Sequence, residues 1–244
     1  MVNANQNPVV KQITFKSDNF LLRGCLHLPP VERPPLVIGC HGLFSDKNSP
    51  KQVQLAQQCN RNNIAFFRFD HRGCGESDAL FEEVTSLDAR RSDLVAAANM
   101  LKARGDLGAP IGLFGSSMGG TVCLAAARDL KPAAVVTWAA PIRNIDIVES
   151  PAARNTAEKS STTLKKNPFD ISNQLSEIGN ILIFHGEADE IVPIAHAAEI
   201  FKHVKEPKKM ILFPHSDHRM SHPADQQEFI RRAARWFQSH LRPT

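Results

Sequence analysis

The residues best placed for covalent chemistry are Gly115-Ser116-Ser117-Met118-Gly119-Gly120. They follow a short apolar run, Ile111 to Phe114, and lead into an alanine-rich amphipathic segment ending at Leu130. A G-x-S-x-G sequence between a strand and a helix predicts a sharp turn with its central serine on top. Small residues at 115 and 119 let strand and helix approach closely, and the turn holds Ser117 in a strained conformation. The hydroxyl then sits at a helix N-terminus, where backbone amides favour developing negative charge. That chemistry is nucleophilic attack on an acyl carbon, with Ser116 the neighbouring alternative.

A serine hydroxyl at neutral pH needs a base, and the base needs an orienting group. Two later loops, each directly after an apolar run, carry the residue types required. The first is His185-Gly186-Glu187-Ala188-Asp189-Glu190-Ile191-Val192-Pro193, and the second is Pro214-His215-Ser216-Asp217-His218-Arg219. Ser117, Asp189 and His218 thus fall on three different loops in the order nucleophile, acid, base. Glu187 and Glu190 compete for the acid role, and His215 and His222 for the base.

Those loops must be held by a scaffold, and the hydropathy pattern describes one. Val9 to Phe15 and Phe20 to Leu28 alternate loosely around Ser17-Asp18-Asn19, which predicts a β-hairpin. Short, nearly continuous apolar runs follow at 36–40, 64–69, 111–114, 133–138, 181–184 and 210–213, as strands buried on both faces of a parallel sheet require. Between them lie amphipathic helices. One carries Leu87, Leu94, Ala98 and Leu101. The last carries Phe229, Ala233, Trp236, Phe237 and Leu241 on one stripe, with Arg231, Arg232 and Arg235 off it. Strand-helix alternation predicts an α/β fold with a doubly wound sheet, whose ligands bind outside the carboxyl ends of the strands. The candidate residues all follow such ends.

The 141–180 stretch has no strand pattern, several prolines and a polar Ser160-Ser161-Thr162-Thr163 patch, and is expected to be an inserted cap on one domain spanning 1–244. Trp138, Ile142, Ile145, Ile147 and Val148 could line its apolar side or pack in the core. Asp146, Glu149 and Glu158 are its acidic candidates for a free amine.

Composition excludes several other classes. The chain has 244 residues, 42% hydrophobic and 22% charged, which is enough for a substantial core and too apolar for a disordered chain. A net charge of +4 is too small to argue for a nucleic-acid partner. Lys205 to Lys209 read as a solvated face. The cysteines at 25, 40, 59, 74 and 123 form no zinc or disulfide pattern. The opening MVNANQNPVVKQ lacks a signal-peptide pattern, and no apolar run is long enough for a membrane span. A cytoplasmic setting is expected, with no cofactor and no metal. His41 and His185 are expected to bond loop backbone, and Asp70 and Arg72 to pair with each other. Gly73-x-Gly75 opens no helix and is not a dinucleotide motif.

With His41-Gly42, Asp70-His71-Arg72-Gly73-Cys74-Gly75-Glu76-Ser77, the nucleophile turn and both later loops in this order, the chain resembles the α/β-hydrolase superfamily. It looks most like small bacterial serine esterases and the related serine aminopeptidase and monoglyceride-lipase-like group. The resemblance implies a mostly parallel eight-stranded sheet and a Ser117–His218–Asp189 triad. It implies an oxyanion hole made by the Leu43 and Met118 amides, with Phe44 as the alternative to Leu43. It also implies a small-molecule ester as substrate. An aminopeptidase or thioesterase with the same triad, and a non-catalytic binding module on the same fold, are the competing readings. The absence of tyrosine excludes the lid tyrosines of epoxide hydrolases and the tyrosine hydroxyl that prolyl-oligopeptidase-like enzymes bring to the oxyanion.

Overall fold

The computed structural model describes residues 8–144 and 167–241. Its strands fall on the apolar runs: β1 (Val9–Ser17), β2 (Phe20–Leu28), β3 (Leu36–Cys40), β4 (Ala65–Phe69), β5 (Ile111–Ser116), β6 (Ala134–Trp138), β7 (Ile181–Gly186) and β8 (Lys208–Phe213). The helices described are α1 (Pro50–Arg61), α2 (Phe81–Val84), α3 (Leu87–Lys102), α4 (Met118–Leu130), α5 (Ala195–His203) and α6 (Pro223–His240), with a 3-10 helix over Ser172–Glu177.

One sheet of eight strands runs in the order β1-β2-β4-β3-β5-β6-β7-β8. From β4 across to β8 every pairing is parallel. The β1–β2 hairpin joins antiparallel at the β4 edge, giving the mostly parallel α/β sheet expected. Ser17 pairs with Phe20, so Asp18 and Asn19 form a two-residue turn, and Asp18 takes the positive φ of 51° that such turns favour.

Strand residues alternate between two buried layers, as a period of two requires. Leu36, Ile38, Phe67 and Leu113 pack against Leu94, Ala97, Ala98 and Leu101 of α3 and Val122 and Ala126 of α4. Val37, Phe66, Phe114 and Val136 pack on the other face against Leu55 and Cys59 of α1 and Phe229, Ala233 and Phe237 of α6. Strand β8 is the sheet edge; of its first residues Lys209 is exposed, and Lys208 is half-buried with its ammonium over the Phe201 ring. Among the described residues no helix is long and apolar enough to cross a membrane.

Much of the expected 141–180 cap, including Ile145, Asp146, Ile147, Val148, Glu149, Glu158 and the Ser160–Thr163 patch, lies outside the described residues. Its described flanks meet at an isolated bridge between Arg143 and Asp170. Trp138 and Ile142 are fully buried in the core and line no open surface.

The loop after β3 is tied to the sheet through a buried histidine. Arg68 donates from Nε to His27 Nε2 at 2.9 Å and from Nη1 to the Lys47 carbonyl at 2.8 Å. Burial, then the Arg68 charge, push the His27 imidazole down from 6.5 to about 4. The unfolded chain therefore takes up a proton on His27 before the folded chain does. Stability from this site is complete above about pH 6.5 and is lost as pH falls through 4. The wild-type melting temperature should drop between pH 7 and pH 4, and His27→Gln should flatten that dependence. Parallel melting curves for the two proteins would refute the assignment.

Candidate active site

The turn between β5 and α4 places Ser117 at φ 53° and ψ −125°, a region that residues with a Cβ seldom occupy. The Ser117 N–H donates to the Trp138 carbonyl at 2.7 Å, pinning the turn to β6. The glycines are steric necessities: a Cβ on Gly115 would lie 2.2 Å from the Gly119 carbonyl oxygen, and one on Gly119 would lie 2.2 Å from that of Cys40. The Ser117 hydroxyl does not cap α4 and is free to face outward. Ser116 stays within β5, opposite Trp138.

Ser117 Oγ lies 3.0 Å from His218 Nε2, and His218 Nδ1 lies 2.8 Å from Asp189 Oδ2. The Asp189 side chain is 1% exposed and the His218 side chain 16%. Asp189 Oδ1 also accepts the Ile191 and Val192 N–H groups at 2.9 and 2.8 Å. Oδ1 lies 3.1 Å from His218 Nδ1 as well, so Nδ1 faces both oxygens of an acceptor-only carboxylate; this determines the tautomer, with Nδ1 carrying the proton and Nε2 left to accept from the serine. The His218 loop is held from both sides: Trp138 Nε1 donates to the His218 carbonyl at 2.8 Å, and the His218 N–H donates to Glu190 at 3.1 Å. Glu190 thus supports the loop and does not touch the imidazole. Glu187, His215 and His222 are exposed. Asp217 accepts the Ser221 N–H and hydroxyl on its two carboxylate oxygens and so shapes the loop.

The loop after β3 reaches the same place. A Cβ on Gly42 would lie 3.6 Å from Ser117 Cβ. Among the described residues neither the Leu43 nor the Met118 N–H has a hydrogen-bond acceptor, so both donors remain available to a bound group. His41 Nε2 accepts the His71 N–H at 3.2 Å, so Nδ1 carries the proton and donates to the Gly42 carbonyl at 2.7 Å. Burial, with the His71 and Arg90 charges, holds His41 well below its ordinary value and keeps it neutral. His185 Nε2 lies 2.8 Å from the Val192 carbonyl, so both histidines bond loop backbone as expected.

The expected Asp70–Arg72 pair does not form. Asp70, fully buried, accepts from the Lys47 N–H and Nζ, both at 2.6 Å, and from the Glu76 N–H. Arg72 turns the other way, to Asp93 at 2.7 and 2.9 Å and to Asp18 at 2.8 Å. Burial alone would raise the Asp93 carboxyl, but His71 and Arg72 beside it hold it at about 2. Lys47 and Asp93 escaped the sequence reading because nothing local marks which charges from distant loops and helices meet at a sheet edge. Arg90 escaped it too, although its position was a signal: it falls between Leu87 and Leu94 on the apolar stripe of α3 and is fully buried. Among the described residues no group of three or more His, Cys, Asp or Glu side chains could hold a metal ion.

The family model described as Serine aminopeptidase, S33 matches residues 32–177. The protein YfhR of Escherichia coli O157:H7 is 27% identical over 185 residues, which cover 75% of this chain and 62% of that protein. The mitochondrial palmitoyl-protein thioesterase ABHD10 of Rattus norvegicus is 27% identical over 218 residues, 78% of this chain and 71% of that one. Among solved structures, Est1E from Butyrivibrio proteoclasticus with ferulic acid bound has a TM-score of 0.78 at 21% identity, covering 94% of this chain and 99% of that one. A likeness at that identity carries the architecture, an α/β-hydrolase sheet.

Proposed function

This chain belongs to the serine aminopeptidase S33 family, and from that premise we propose that it is a serine hydrolase cleaving a carboxylic ester. The observation that carries the reading is the continuous hydrogen-bonded line from Ser117 Oγ through His218 to Asp189, at 3.0 and 2.8 Å. His218 Nε2 takes the hydroxyl proton as Oγ attacks the acyl carbon, and Asp189 stabilises the imidazolium. The Leu43 and Met118 amides receive the oxyanion of the tetrahedral intermediate, each worth about 10²- to 10³-fold in turnover. His218 then hands its proton to the leaving alcohol, an acyl-enzyme remains on Ser117, and water activated by His218 releases the acid. The reading takes residues 1–244 as one catalytic domain acting on a small-molecule ester, with no cofactor in any step.

The likeness to a palmitoyl-protein thioesterase supports a second reading, thioester cleavage by the same residues, since only the leaving group changes. An aminopeptidase would also need an anionic site for the substrate's amine, and its candidates Asp146, Glu149 and Glu158 lie outside the described residues. A fluorophosphonate probe should label Ser117 in the wild-type protein and leave Ser117→Ala unlabelled. p-Nitrophenyl esters of graded chain length should be turned over with higher kcat/KM than amino-acid anilides or S-acyl thioesters of matched acyl groups. Preference for the anilides would replace the ester reading with a peptidase, and preference for the thioesters would replace it with a thioesterase.

A further inference from the structure

The Arg90 side chain rises from the apolar face of α3 and is fully buried beneath the loop that follows β3. Among the described residues no carboxylate lies within ion-pair distance of it, and its neighbour Asp93 is engaged by Arg72. An unpaired buried cation is costly unless its donors are satisfied. Arg90 satisfies them on backbone and neutral side chains. Nε donates to Thr85 Oγ1 at 3.1 Å, Nη1 to the Gly42 carbonyl at 3.4 Å, and Nη2 to the Leu43 carbonyl at 2.9 Å and Cys74 Sγ at 3.3 Å.

The two carbonyls are consecutive, and that decides what the contact does. In a planar trans peptide the C=O and the following N–H point in opposite directions. Holding the Gly42 carbonyl therefore aims the Leu43 N–H, and holding the Leu43 carbonyl aims the Phe44 N–H. The first carbonyl is also held by His41 Nδ1, whereas among the described residues the second is held by Arg90 alone. A rigid planar fork holds two adjacent carbonyls in fixed directions, whereas an ammonium at the same place has freely rotating donors that fix neither.

We propose that Arg90 is a positioning residue that orients the backbone donors of the loop after β3 toward the oxyanion formed at Ser117. The inference rests on the reading of Ser117 as nucleophile. Arg90 touches no reacting atom: it keeps the peptide planes at 42–44 turned before substrate arrives, so that no reorganisation is needed when charge develops. Its own positive charge, buried behind the loop, adds to the field that favours the oxyanion.

The test compares wild type with Arg90→Lys and Arg90→Met, all rates being referred to active sites titrated with a fluorophosphonate. Per titrated site, kcat for a p-nitrophenyl ester should fall ~10- to 100-fold with KM nearly unchanged, because an interaction used only in the transition state is lost. The inhibition constant of an aryl trifluoromethyl ketone, whose adduct with Ser117 carries an oxyanion, should rise by the same factor as kcat/KM falls. Binding of the product alcohol, which presents no negative oxygen to these donors, should not change. Arg90→Lys keeps the charge and loses the fork, so it carries the test if Arg90→Met does not fold. Wild-type kcat per titrated site, or a defect confined to melting temperature or to the fraction of sites titrated, would overturn the proposal. Failure of the underlying reading looks different: the wild-type protein itself would neither label at Ser117 nor bind the ketone, and the Arg90 role would fall with it.

Discussion

Replacing Ser117 with alanine should lower kcat for ester hydrolysis by about 10⁵- to 10⁶-fold while leaving the fold in place. The size follows from the way the three side chains act together. With Oγ gone, His218 Nε2 faces empty space where it had an acceptor bond at 3.0 Å, and no covalent intermediate can form. What remains is the polar environment around a bound ester, including the Leu43 and Met118 amides, attacked by water. The change removes one atom and keeps a Cβ, so alanine inherits the φ of 53° and ψ of −125° together with its strain. Glycine at 117 relieves that strain, and Ser117→Gly should melt higher than Ser117→Ala by the equivalent of about 1 kcal/mol. The two variants should be equally inactive. Residual activity of Ser117→Ala above a hundredth of wild type would move the nucleophile elsewhere, and Ser116, buried within β5, has no access to His218.

The candidate site was legible in the sequence where chemistry and backbone constraint fall within a few adjacent residues. Gly115, Ser117 and Gly119 announce the turn because the same six residues must satisfy both the close approach of α4 to β3 and the exposure of a hydroxyl. The loops bearing Asp189 and His218 were legible because β7 and β8 end in short apolar runs with polar residues packed directly behind them. Strand β8 began two residues earlier than its apolar run, at Lys208, because an edge strand need not bury both faces. Partner choice among the buried charges was not legible. Asp70 and Arg72 are two residues apart on one loop, yet their side chains leave on opposite sides and meet Lys47 and Asp93 from segments 20 or so residues away in sequence. Arg90 shows the same limit from the other direction. A helix periodicity counts it as one polar position on an apolar stripe, and only the packing of α3 under the β3 loop shows which carbonyls it reaches.

Asp189→Asn should cost nearly as much as removing the base, about 10³- to 10⁴-fold in kcat, although it exchanges one oxygen for a nitrogen of the same size. The reason lies in the bonds the carboxylate makes. Oδ1 accepts two backbone N–H groups, from Ile191 at 2.9 Å and Val192 at 2.8 Å, and only an oxygen can stay there. Although Oδ1 also lies 3.1 Å from His218 Nδ1, the nearer position at 2.8 Å is that of Oδ2, which the asparagine NH₂ must then occupy. A donor facing Nδ1 requires that nitrogen to be the acceptor, which moves the imidazole proton to Nε2. Nε2–H then donates to Ser117 Oγ, and with no free lone pair on Nε2 the histidine can no longer take the serine proton. Because the fold keeps both backbone bonds, the melting temperature should shift little while activity collapses. Imidazole ¹⁵N spectra should place the proton of neutral His218 on Nδ1 in the wild type and on Nε2 in the variant. A variant that keeps the proton on Nδ1, or retains more than a tenth of wild-type kcat, would show that Asp189 does not set the tautomer of the base.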